Sequence, residues 1–184
     1  MAVMTNSIGL LCVEIDSAGS LKQAGDRVLY GAKKSSLAET EWMSRQKVAQ
    51  CRDSIAEIVH EAGGIVSRTA GDQVFCHLPN SDAAVSSAVK MQRTQGRHAE
   101  QDTNGEGVVS APLGIRVVVH YGPLVIDGGR QQGDAKSLAD SLLRKAEVDQ
   151  VLVTADVVAA MVDPSAQRFN ELGEIALGPA VSIL

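Results

Sequence analysis

Short apolar runs rich in β-branched residues alternate along this chain with longer stretches whose apolar residues recur every three or four positions. The first run, Ile8–Ile15, is bounded by Asn6-Ser7 and by Asp16, Ser17, Gly19 and Ser20, the pattern of a buried strand entering a polar turn able to bind anions. Ser36 and Glu39 form a capping box, after which Val48, Cys51, Ile55, Ile58 and Ala62 share one helix face until Gly63-Gly64 stops it. Ile65–Ala70 and Val74–Leu78 flank Gly71-Asp72, which predicts a hairpin with Asp72 at its tip. Ser81 is expected to cap a second helix, buried through Ala84, Val85, Ala88, Val89 and Gln92 and ending near Gly96. The polar stretch Arg97–Ala111 then reads as a loop. Ile115–His120 and Leu124–Ile126 predict a second hairpin turning at Gly122-Pro123. A Gly128-Gly129 loop leads to Asp134, which caps a third helix with Leu138, Leu142 and Ala146 inward. Gln150–Thr154 is expected as a strand, Ala155–Met161 as a short helix, and two weak strands are expected around Gly173 and Gly178-Pro179.

This order of strand, helix, hairpin, helix, hairpin, helix and strand specifies an α+β fold, a ferredoxin-like and mostly antiparallel sheet with its helices on one face. No Pro- or Ser-rich linker, composition shift or repeat divides the chain, so residues 1–184 are expected as a single domain. Such a fold hosts many functions, and activity must be read from particular side chains.

Composition removes several function classes. Seventeen Lys and Arg against 22 Asp and Glu give a formal charge of -5, so no general attraction to phosphate backbones or anionic lipid is expected. Aromatic residues are 3% of the chain, too few for the stacking platforms that single-stranded nucleic acid needs. Nucleic acid is therefore not an expected partner. No apolar run approaches the roughly 20 residues of a membrane span. Met1–Ser7 carries no Lys or Arg ahead of the apolar run, so no secretory signal is expected and the cytoplasm is the expected compartment. Cys12, Cys51 and Cys76 are odd in number and widely spaced, which makes core thiols the expectation. His60, His77, His98 and His120 have no ligand-like spacing, so no zinc site is expected.

Two carboxylates at the ends of neighbouring elements can hold magnesium or manganese for phosphoryl chemistry, because these hard cations favour oxygen ligands and keep room for substrate phosphates. Glu14, at the end of the first run, and Asp72, at the hairpin tip, are placed for that. Each also has a plainer account: Asp72 caps its own turn, and Glu14 is a strand-end charge leaning to solvent.

Leu10–Leu21, then HEAGGIVSRTAGDQVFCHLPNSDAAVSSAVKMQ, then GIRVVVHYGPLVIDGGRQQGDAKSLADSLLRKAEVDQVLVT and the closing ELGEIALGPAVSIL together resemble the catalytic domain of class III nucleotidyl (adenylate and guanylate) cyclases over nearly the whole chain. The resemblance implies that Glu14 and Asp72 are the metal carboxylates for magnesium or manganese, with glutamate where the family has aspartate. A slip of two residues would give Asp16 that role, but would set Glu14 where the family buries an apolar residue. Ser17, Ala18, Gly19 and Ser20 match the turn whose backbone amides hold the phosphates of a nucleoside triphosphate, and Arg68 and Arg130 fall where the base is chosen. Ser137 and Ser141, which share a helix face at i and i+4, fall on the family's ribose-binding asparagine and transition-state arginine. Serine offers neither the charge nor the fork of arginine, and an arginine on a transferring phosphoryl group is worth about 10³–10⁵ in rate in other enzymes. Arg144, at i+3 from Ser141, is expected to project away from the matched position.

The resemblance thus implies a degenerate cyclase-homology domain, inactive or weakened, that acts in nucleotide or metal binding, dimerisation or regulation. It also implies a head-to-tail homodimer in which the carboxylates of one subunit face the third helix of the other. The alternative is an active adenylate or guanylate cyclase that converts a nucleoside triphosphate to its cyclic monophosphate and pyrophosphate. A third reading is an interaction scaffold with no small ligand.

Overall fold

The computed structural model describes residues 5–17, 37–102, 113–127, 130–132 and 134–174. Strand β1 (Thr5–Ile15) leads to helix α1 (Leu37–Glu61), strands β2 (Ile65–Ala70) and β3 (Gln73–Leu78), and helix α2 (Ser81–Asp102). Strands β4 (Ile115–Asp127) and β5 (Arg130–Gln132), helix α3 (Asp134–Leu143), strand β6 (Val151–Val153) and helix α4 (Ala155–Ala160) complete the fold. The sheet has six strands in the order β2-β3-β1-β4-β5, with β6 also on β4. All pairings are antiparallel except β4 with β6. The α+β class read from the sequence is the class observed. Among the described residues, no helix is long and apolar enough to cross a membrane.

The helices lie on both faces of the sheet, not on one as expected. Along β1, Leu11, Val13 and Ile15 point to a core shared with Val48, Cys51, Ile55, Ile58 and Val59 of α1, with Ala84, Val85, Ala88 and Met91 of α2, and with Val157 of α4. Leu10 and Cys12 point the other way, into a second core with Phe75, Val118 and the α3 residues Ala135, Ala139, Leu142 and Leu143. The cause is legible in β1 itself: a run apolar at successive positions buries both faces, and each face then requires cover.

Several local expectations are corrected. β4 runs unbroken through Gly122 and Pro123 for 13 residues, with no turn there. Pro123 is tolerated because on its far side β6 pairs only with Val117–Val119 and β5 only with Val125–Asp127, leaving a gap where a missing N–H breaks no ladder. Helix α2 continues past Gly96 to Asp102, into the stretch expected as a loop. The cap of α2 is Asn80, whose Oδ1 accepts from the Ala83 N–H at 2.8 Å, while Ser81 is buried. Met91, not Val89, completes its buried face. Leu142 and, just past the end of α3, Ala146 are buried as expected, but Ala135, Ala139 and Leu143 join them and Leu138 is only partly buried. No strand forms at Gly173. Ser36, Gly128-Gly129 and Gly178-Pro179 lie outside the described residues.

Two glycines are required where α1 ends. Gly63 has φ +74, and a Cβ on Gly64 would stand 2.5 Å from the His77 carbonyl oxygen, so the chain can pass this close to β3 only without a side chain.

The three thiols are free and buried, as expected. Burial pushes the thiols of Cys51 and Cys76 up to about 12, and that of Cys12 higher still, with the Asp140 carboxylate adding to the effect. The folded protein is therefore expected to resist a disulfide reagent at pH 8, with all three thiols reacting promptly once it is unfolded in guanidinium chloride. Counting released thiolate in both states checks this; fast stoichiometric reaction of the native protein would contradict it.

Candidate functional site

The two predicted carboxylates lie at the same end of the sheet. Gly71 and Asp72 form a two-residue hairpin loop between Ala70 and Gln73, and Gly71 takes φ +59, the positive value that the first central residue of a type II′ turn needs. The hairpin tip docks beside the end of β1, where the Ile15 N–H donates to the Asp72 carbonyl at 2.9 Å. Glu14 therefore neighbours Asp72. Glu14 lies on the same face of the sheet as Cys12, the face covered by α3.

Each carboxylate is already engaged by protein donors. Glu14 is opposite Arg116 on β4 and opposite Gln73 on β3. Its Oε1 accepts from Arg116 Nη1 at 2.7 Å, and its Oε2 accepts from Gln73 Nε2 at 3.1 Å. The Arg116 and Glu14 side chains are both about a quarter exposed, 24% and 28%, so solvent screens this pair only in part. Asp72 accepts through Oδ2 from the Ser17 hydroxyl, and its Oδ1 lies 3.9 Å from Arg52 Nη2 on α1. That same Arg52 nitrogen donates to the Gly71 carbonyl. Neither Arg116, Arg52 nor Gln73 was picked out by the sequence reading. Arg116 had a signal, a cation inside an otherwise apolar strand run that must find a partner; Arg52, on the flank of an amphipathic helix, had none.

The remaining expected positions are spread over three elements. Arg68 is an exposed residue of β2, opposite Phe75 of β3. Arg130 opens β5 opposite Asp127. Ser17 follows β1 and reaches Asp72, while Ala18, Gly19 and Ser20 lie outside the described residues. On α3, Ser137 is exposed and Ser141 is half-buried. Arg144 departs from expectation: its Nη2 donates to Ser141 Oγ at 3.2 Å. It lies one residue beyond the end of α3, but its N–H still bonds the Asp140 carbonyl at 3.4 Å, and residues three apart on such a turn are neighbours. On the inner side of α3, Lys136 Nζ pairs with Asp140 Oδ2 at 2.6 Å and sits 5.0 Å from the Phe75 ring centroid. Among the described residues, no group of three or more His, Cys, Asp or Glu is placed to hold a metal ion.

A shallow cavity of about 450 Å³ lies at the other end of β1, lined in part by Ser7, His120, Tyr121 and Asp156. Ile8 is opposite Gly122 and Glu14 opposite Arg116, which separates cavity and carboxylates by about 20 Å of strand. His120 is 7% exposed and its Nδ1 lies 3.0 Å from Thr154 Oγ1. Burial holds this imidazole below its ordinary pKa, against a smaller opposing pull from Asp156. A depressed histidine binds fewer protons folded than unfolded, so its contribution to stability is intact above about pH 6.5 and is lost as the pH falls below it. Wild type is expected to lose more stability than His120→Asn between pH 7.5 and pH 5 in urea titrations; parallel losses would contradict the assignment.

No family model and no curated protein matches the sequence. Solved structures do match. An adenylate/guanylate cyclase/hydrolase from Silicibacter pomeroyi is 22% identical with a TM-score of 0.67, over 94% of this chain and 89% of that one. The adenylyl cyclase CyaB from P. aeruginosa is 15% identical with a TM-score of 0.62, over 86% of this chain and 82% of that one. An adenylate cyclase structure from Trypanosoma brucei, solved in the monomeric state, is 17% identical with a TM-score of 0.65, over 92% of this chain and 83% of that one. The chain has the fold of the catalytic domain of adenylate and guanylate cyclases.

Proposed function

We propose that the protein is a degenerate class III cyclase-homology domain, catalytically inactive or much weakened, that serves in nucleotide binding, self-association or regulation. The observation that supports it is the outer surface of α3: exposed Ser137 and half-buried Ser141 stand where the resemblance calls for an asparagine and an arginine. The developing charge on a transferring phosphoryl group then meets hydroxyls in place of a fixed cation, and hydroxyl dipoles do not replace it. In a head-to-tail homodimer the α3 of one protomer would complete the carboxylate end of the other and give two equivalent sites. Equilibrium dialysis with labelled ATP, GTP, CTP and UTP, together with light scattering across micromolar to near-millimolar protein, tests the reading. It expects saturable binding of at least one triphosphate and a dimer; a strict monomer that retains no nucleotide would overturn it.

One observation favours the second reading, an active cyclase. The Arg144 guanidinium, held on Ser141, brings a positive charge to the position that the substitution emptied. That reading requires cyclic product from the wild type and a fall of about 10³ or more on Arg144→Ala. The proposed reading expects Arg144→Ala to change neither product formation nor fold, because Arg144 is exposed.

A further inference from the structure

The resemblance implies magnesium or manganese between Glu14 and Asp72, and the residues present do not fit that role. A carboxylate ligates a hard cation through a free oxygen lone pair aimed at the ion. Glu14 has both oxygens engaged, one by a guanidinium and one by an amide. These donors come from the residues directly opposite it on the two flanking strands, so the sheet register delivers them. Asp72 has one oxygen on the Ser17 hydroxyl and the other facing the Arg52 guanidinium, which is anchored on the Gly71 carbonyl of the same turn.

We propose that Arg116 on Glu14 and Arg52 on Asp72 have taken the places of divalent cations, so that this carboxylate pair is closed to magnesium and manganese. Two carboxylates and two guanidiniums sum to no net charge, and an arriving divalent ion meets two fixed cations where it needs open ligands. The four groups come from β1, the hairpin tip, β4 and α1, so the arrangement is assembled by tertiary structure and does not depend on one mobile side chain. Arg116 ties the end of β1 to β4 and Arg52 ties the hairpin tip to α1, while the Ile15 N–H, the Ser17 hydroxyl and the Gln73 amide join the tip to the end of β1, so this corner is held without metal.

The inference deepens the degenerate reading, and its test uses the metal ion alone, so its failure leaves the question of nucleotide turnover untouched. Manganese is titrated into the full chain without nucleotide, and the free ion is followed by its paramagnetic resonance signal. Wild type is expected to leave the signal as in buffer at near-stoichiometric, submillimolar concentrations, as are Glu14→Gln and Asp72→Asn. The double variant Arg52→Gln with Arg116→Gln uncovers both carboxylates and keeps neutral donors beside them, and it is expected to bind manganese about tenfold or more tightly than wild type. Circular dichroism establishes that the variant is folded. Tight binding by wild type that is lost in Glu14→Gln or Asp72→Asn would overturn the proposal, whether or not the arginine variant folds. A folded double variant with no gain over wild type would overturn it as well.

Discussion

Phe75→Ala is expected to cost about 3–5 kcal/mol, a large share of the roughly 5–15 kcal/mol that stabilises a domain. Phe75 is 2% exposed at the middle of β3 and enters the core under α3. Its cluster, which includes Leu10, Val118, Ala135, Ala139, Leu142 and Leu143, is buried on every side, so removal of the ring leaves a cavity that the neighbours fill only in part. Lys136 lies over the ring and would lose that contact, and its pair with Asp140 would lose the apolar floor beneath it. The effect reaches function through α3, the helix that presents Ser137 and Ser141. Urea titration should show a lower midpoint with little change in slope, while Phe75→Leu should cost clearly less. A loss below about 1 kcal/mol for Phe75→Ala would mean that α3 does not dock as described.

The parts of the fold carried by local chemistry were legible in the sequence. Gly71-Asp72 between two β-branched runs placed a hairpin tip correctly, because a positive φ at the first loop position leaves few other choices. The buried stripe Val48, Cys51, Ile55 and Ile58 followed from helical period alone. What failed was decided by distant elements. Gly122-Pro123 reads as a turn in isolation, but strand pairing on one side and an unpaired gap on the other carry β4 straight through it. Gly96 ends a helix by propensity, yet α2 continues past it. At the site, the neighbourhood of Glu14 and Asp72 was legible and their occupancy was not. Arg116 lies 102 residues from Glu14 along the chain, and only the register of β1 against β4 makes them neighbours.

The second large effect is one of rate. Moving the arginine back onto the helix (Ser141→Arg with Arg144→Ser), with Ser137→Asn, restores the expected polar groups without changing the net charge of the chain. Ser137 is exposed and Ser141 half-buried, so these changes should leave the fold intact. They are expected to produce no turnover while Arg52 and Arg116 cover the carboxylates. Adding Arg52→Gln and Arg116→Gln should then bring cyclic product, with manganese present, to about 10³ times the protein-free background or more, where wild type stays at that background. The gain should vanish on Asp72→Ala. Full activity from the α3 substitutions alone would show that the carboxylate pair was open from the start.

The most direct measurement is the simplest: the purified wild-type chain is incubated with each of the four common nucleoside triphosphates and either manganese or magnesium, and the nucleotides are then separated and identified by mass. The account predicts that the triphosphates are recovered without any 3′,5′-cyclic monophosphate, including those that the protein binds. Cyclic product that accumulates with protein concentration, releases pyrophosphate in equal amount and disappears in Asp72→Ala would contradict it.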